Sequence, residues 1–170
     1  MKINVLDWCK DLDAVYDFDC IKIEVDGSVN QNPGYLGVTG IYDLQSQEYI
    51  AYKYKGNRLT NQMVEMIAIY EGLKYCIDND TCMITSDSLT TINMLSGKYN
   101  VRNKRLSYIK QLIDTTFDDK NVYLVYRKGH TEFDLIGKHI TNIVRNYNKT
   151  SLEPNISDGS LQKLITDLRW

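Results

Sequence analysis

Three carboxylates in this chain stand where a hard cation could be held. Asp26 ends an alternating run, Ile21-Lys22-Ile23-Glu24-Val25-Asp26, and is followed by Gly27-Ser28 and a loop closing in Asn32-Pro33-Gly34. Glu65 lies one turn inside an otherwise apolar helical segment, and Asp87 follows the short apolar run CMITS. Several carboxylates gathered at one point repel each other unless a cation is present. Oxygen ligands without neighbouring cysteine or histidine suit Mg²⁺ or Mn²⁺ better than zinc. Each residue also has a plainer reading. An isolated Asp-Gly usually just starts a hairpin. A lone carboxylate in an apolar helix is costly to bury, so Glu65 either reaches solvent or has a cation to bind.

The elements that must position these side chains can be read from periodicity. The period of two over 20–28 predicts a strand with one face in a core. Residues 35–42 and 49–55, rich in β-branched and aromatic types, read as two further strands of an antiparallel hairpin. Thr60-Asn61 opens a helix to about residue 77, with Asn61 as the expected N-cap, and its apolar residues on more than one face mark it as buried. Residues 82–86 form a strand that delivers Asp87. Helices follow at 89–95 and 103–117, then a fifth strand at 122–126 and a helix at 135–147. Between the first two of these helices, Lys98, Arg102, Lys104 and Arg105 form a basic cluster that is either a phosphate contact or a solvated loop.

The bulk composition narrows the class. A chain of 170 residues with 43% hydrophobic and 25% charged content supports one domain with a real core. No apolar run is long enough to span a bilayer, and the N-terminus lacks a signal-peptide pattern, so a cytoplasmic protein without membrane contact is expected. The net charge of −2 gives no argument for a nucleic-acid partner, which would need a local basic patch. Cys9, Cys20, Cys76 and Cys82 form no C-x-x-C pair and read as reduced thiols.

Four words in order carry more information than any of these: IEVDGSVNQNPG, TNQMVEMIAIYEGL, ITSDSLTTI and YRKGH. Together they resemble ribonuclease H type 1, over residues 21 to about 147. The resemblance implies an α/β fold of RNase H type: a five-stranded mixed sheet, three antiparallel strands then two parallel, flanked by helices. It implies an endoribonuclease that hydrolyses the RNA strand of RNA–DNA hybrids. Asp26, Glu65 and Asp87 would hold two divalent ions, Mg²⁺ or Mn²⁺, that clamp the attacking and leaving oxygens of a phosphodiester displacement. His130 matches a mobile histidine that assists proton transfer or product release. Gly27 and Ser28 would approach the scissile phosphate. Asn32, Asn61 and Gln62 would contact the hybrid, where 2′-hydroxyl recognition in the minor groove belongs.

Two features depart from the family pattern: the basic protrusion found in some members is not obvious here, and the last helix lacks the family's aspartate. Matching apolar spacing in the last helix puts Thr141, beside Asn142, where a fourth aspartate belongs. The nearest acid is Asp134, so either Asp134 supplies the fourth metal ligand from another backbone position or that ligand is absent. The second reading of the chain follows from this: a catalytically weakened module of the same fold that binds nucleic acid or a protein partner. The ends lie outside the resemblance. Residues 1–19 form an acidic extension, a short helix or an arm, ahead of a catalytic domain at 20–147. Residues 148–170 form a linker and an amphipathic helix with Leu161, Leu164, Ile165 and Leu168 on one stripe. That helix either packs back on the domain or docks a protein partner. A monomer is expected.

Overall fold

The computed structural model describes residues 1–167. Its strands are β1 (Lys2–Asp7), β2 (Ile21–Val29), β3 (Gly34–Asp43), β4 (Glu48–Leu59), β5 (Thr81–Ser86), β6 (Asn121–Tyr126) and β7 (Ser157–Asp158). Its helices are α1 (Leu12–Asp17), α2 (Asn61–Tyr75), α3 (Leu89–Leu95), α4 (Lys104–Thr116), α5 (Leu135–Thr150) and α6 (Gln162–Asp167). One mixed sheet runs in the order β1-β6-β5-β2-β3-β4-β7. The five expected strands are its centre, with β2 antiparallel to β3, β3 antiparallel to β4, and β2, β5 and β6 parallel.

The sheet thus has seven strands among the described residues, not five. The two additions come from the terminal extensions. β1 pairs in parallel with β6, from Lys2↔Asn121 to Asp7↔Tyr126. β7 pairs with β4 at Tyr52↔Ser157 and Lys53↔Asp158. Each therefore covers one edge of the five-stranded core, satisfying backbone groups that an open edge leaves exposed. The N-terminal extension is accordingly a strand followed by a helix, where a helix or an arm was expected. The polar stretch after residue 147 is also shorter than expected, because α5 runs on to Thr150.

Helices cover both faces. The larger core lies between the sheet and α2, which buries Met63, Val64, Met66, Ile67, Ala68, Ile69 and Leu73, backed by Leu106, Ile109 and Ile113 of α4. On the other face, Ile136, Ile140 and Val144 of α5 pack on Val38 of β3. Beside them, Val15 of α1 covers Met83 of β5 and Val125 of β6. At the C-terminal end, Leu161 and Ile165 are buried in the main core with Leu164 packed against it, so this part of the amphipathic stripe is used within the chain. Leu168 of that stripe lies outside the described residues.

Candidate active site

The site forms where β2 and β5 part. They pair as far as Glu24↔Thr85. Beyond that, β2 continues against β3 alone, while β5 ends at Ser86 and turns into Asp87. Crevices at the carboxyl ends of parallel strands are the usual ligand sites of open α/β sheets. Asp26 faces this crevice from β2. The third carboxylate comes from α2, brought in by an unusually close approach at Gly27. A Cβ on Gly27 would lie 2.6 Å from the Val64 carbonyl carbon and oxygen and 2.9 Å from the Glu65 nitrogen. Only a residue without a side chain lets the strand and the helix backbone meet there.

Thr60, not Asn61, caps α2, its hydroxyl accepting from the Met63 amide at 3.2 Å. Asn61 is the first helical residue, and its amide donates to Asn32 Oδ1 at 3.2 Å. That bond ties the loop after β2 to the start of α2. Asn32, Asn61 and Gln62 are exposed here, with Gly27 buried and Ser28 half-buried closer to the carboxylates. Ser88 caps α3 by accepting from the Thr91 amide, which fixes the backbone just beyond Asp87.

One carboxylate oxygen from each of Asp26, Glu65 and Asp87 lies within 4.8 Å of the others. All three groups are held above their ordinary carboxylate range. Burial is the largest cause for Asp26, followed by the charge of Asp87. Burial also raises Glu65, to about 7, helped by Asp87 and opposed by a hydrogen bond from Ser88. For Asp87 the causes are burial and then the charge of Asp134, with His130 acting in the opposite direction. Asp87 Oδ1 is buried and has no hydrogen-bond donor. A cluster of oxygens that repel one another, one of them orphaned, fits a hard divalent cation.

Asp134 stands outside this trio, yet it is 5% exposed and its charge acts on both Asp26 and Asp87. Its position is set by backbone donors. Oδ2 accepts from the His130 amide at 2.9 Å, and Oδ1 accepts from Gly137 N at 3.1 Å, capping α5. His130 is exposed with φ 60°, a left-handed conformation that costs a non-glycine residue about 1–2 kcal/mol. The Asp134 carboxylate supports that turn. Gly129 lets the loop cross directly over Asp87, since a Cβ there would lie 2.3 Å from Asp87 Oδ2. Thr141 and Asn142 lie farther along α5 and line a neighbouring cleft of about 350 Å³ with His130, Lys138 and Arg145. Of the basic cluster, Arg105 donates to the Asn57 and Arg58 carbonyls at 2.6 Å each and so braces the end of β4.

One pair beside the site escaped the sequence reading. Arg127 donates to Glu24 Oε1 at 2.6 Å, with the two residues 7% and 4% exposed. The Arg127 charge also acts to lower Asp87. The signal was available: alternation along β2 puts Glu24 on the same face as Asp26, and a charge there needs a partner.

The fold and this site define a class of protein that known relatives share. The RNase H family model matches residues 20–143, and the chain belongs to the RNase H family. The structure resembles that of RNase H1 from the halophilic archaeon Halobacterium salinarum, with a TM-score of 0.56 and 14% identity, covering 78% of this chain and 98% of that one. It also resembles the N-terminal RNase H domain of a Mycobacterium tuberculosis protein, solved as a fusion with maltose-binding protein. There the TM-score is 0.59 and the identity 16%, covering 77% of this chain and 98% of the other. No curated protein matches the chain.

Proposed function

We propose that this protein is a metal-dependent endonuclease that hydrolyses the RNA strand of RNA–DNA hybrids. The observation that carries the reading is the convergence of Asp26, Glu65 and Asp87 from three elements onto one point, with an orphaned oxygen among them. These three would hold Mg²⁺ or Mn²⁺, and Asp134, buried nearby with its charge acting on Asp26 and Asp87, would supply a fourth ligand through the lone pairs that the His130 and Gly137 amides leave free. Two bound ions would supply Lewis-acid activation of water and stabilisation of the leaving 3′ oxygen.

The remaining work falls to the chain itself. His130, exposed on a turn above Asp87, would move a proton at the leaving or attacking oxygen. Gly27 and Ser28 would let the phosphate backbone approach Asp26 closely. Asn32, Asn61 and Gln62, exposed and grouped by the Asn32–Asn61 bond, would read 2′-hydroxyls in the minor groove. Among the described residues no helix is long and apolar enough to cross a membrane. The four cysteines are free, which supports a reducing, cytoplasmic setting. A monomer suffices for this reading, since all the groups it uses lie on one chain.

The test is cleavage of a duplex with a labelled RNA strand and a DNA strand, in Mg²⁺, in Mn²⁺ and in EDTA. Double-stranded RNA, double-stranded DNA and Asp87→Asn protein run alongside. Metal-dependent cutting of the hybrid's RNA alone, lost in the variant, is the expected result. Tight hybrid binding without cutting in either metal would replace this reading with that of a binding module.

A further inference from the structure

The sheet face opposite α2 is covered in two halves: α5 covers β2 and β3, and Leu6, Trp8 and Val15 of the N-terminal segment cover β5 and β6. The second half lies wholly outside the segment matched by the family model. Its β1 leads directly to the site. Trp8, the residue after that strand, donates its amide to the Tyr126 carbonyl at 2.8 Å. Its ring therefore stands where the loop 127–134 begins. The Arg127 guanidinium lies 5.0 Å from the ring centroid, and the Phe133 ring lies 6.5 Å away. Arg127 is fixed from its other side by Glu24, and its amide donates to the Ser86 carbonyl at 3.0 Å. Phe133 immediately precedes Asp134. One indole thus touches the two ends of the loop that carries His130 and Asp134.

We propose that the N-terminal segment is a working part of the catalytic centre, with Trp8 as a positioning residue that clamps the 127–134 loop at both ends and so sets Asp134 and His130 against Asp26 and Asp87. The proposal rests on the hydrolase reading above. A ring anchored just past the end of β1 by the Trp8–Tyr126 backbone bond restricts both loop ends at once, and Phe133, at 54% exposed, gains packing from that contact. Displacing catalytic groups by an ångström is enough to cost on the order of 10²-fold in rate.

Two readouts separate a clamp from a mere cover for Met83 and Val125. The first is limited trypsin digestion of the metal-free protein, following cleavage after the exposed Lys128 by mass spectrometry against all other sites. The second is kcat and KM on the hybrid. In Trp8→Ala, cleavage after Lys128 rises selectively and kcat falls about tenfold with KM unchanged. Trp8→Phe, which keeps a ring, restores most of both. Asn4→Ala removes side-chain bonds to Asn121 and Val122 elsewhere on β1 and leaves both readouts at wild type. Should Trp8→Ala fail to fold, Phe133→Ser tests the same contact from the loop side. Wild-type digestion and kcat in Trp8→Ala or Phe133→Ser would overturn the clamp. A wild-type protein that cuts no hybrid would sink the hydrolase reading alone, and the digestion would still decide the clamp.

Discussion

Glu65 and Glu71 belong to one helix and differ in everything that surrounds them. Glu71 is only 3% exposed. Its Oε1 accepts from the Ser160 amide and hydroxyl, each at 2.8 Å, and from the Tyr54 hydroxyl. Leu161 N donates in turn to the Tyr54 oxygen at 3.2 Å, and burial, together with the Glu71 charge, holds the Tyr54 hydroxyl well above its usual range. This acid fastens the C-terminal extension to α2. Glu65 is less buried, yet it meets Asp26 and Asp87 where Glu71 meets donors. Donors surround the carboxylate that fastens the extension, whereas the carboxylates of the trio crowd one another, an arrangement that suits a cation.

The sharpest way to break this contrast is in activity. Asp87→Asn should lower hybrid cleavage by at least ~10³-fold, several kcal/mol of transition-state stabilisation, without lowering the melting temperature of the metal-free protein. Activity within tenfold of wild type would remove Asp87 from the centre. Glu71→Ala should do the reverse. It leaves the Tyr54 hydroxyl and the Ser160 amide without their acceptor, which costs about 2–4 kcal/mol in a denaturant titration. Cleavage per folded molecule should stay near wild type, and a stability loss below about 0.5 kcal/mol would show that the extension is held by its apolar contacts instead.

Smaller effects sharpen the comparison. Mg²⁺ at about 100 times its dissociation constant should stabilise the wild type by roughly 2.7 kcal/mol and Asp87→Asn by much less. Equal stabilisation of both would place the ion elsewhere. Glu65→Gln should act in the opposite sense to Glu71→Ala. A carboxyl raised from 4.5 to about 7 in the folded state opposes folding once it ionises. Its contribution is harmless below about pH 4.5 and increasingly unfavourable as pH rises through 7. Metal-free Glu65→Gln should therefore gain about 1–2 kcal/mol over wild type at pH 8, after allowance for solvent screening, and nothing at pH 4. Melting curves in EDTA at the two pH values measure this, and an equal shift at both would mean that Glu65 is not under electrostatic pressure.

Local rules made much of this legible beforehand. Alternation in Ile21–Val25 and the apolar faces of 61–77 marked the two elements that carry Asp26 and Glu65. The word IEVDGSVNQNPG contains the glycine that lets those elements touch. The cap of α2 was misplaced by one residue because Thr60 and Asn61 both have capping side chains, and which one adopts extended backbone depends on where β4 ends. β4 runs past the expected 49–55 to Leu59, with Arg105 from α4 donating to the Asn57 and Arg58 carbonyls near its end.

What the sequence determined by itself is the run of elements from β2 to α5, the order of the four words and the acids they deliver. These depend on residues a few positions apart, whose periodicity and side-chain chemistry act locally. What only the tertiary structure decided is how distant segments meet. β1 joins β6 across most of the chain, and the two-residue β7 has no strand pattern of its own; both form because the edges of the central strands offer unpaired backbone. The place of Asp134 beside Asp87 was likewise beyond spacing arguments. It depends on the left-handed turn at His130, whose amide donates to Asp134, and on Gly129, which lets the loop pass over Asp87.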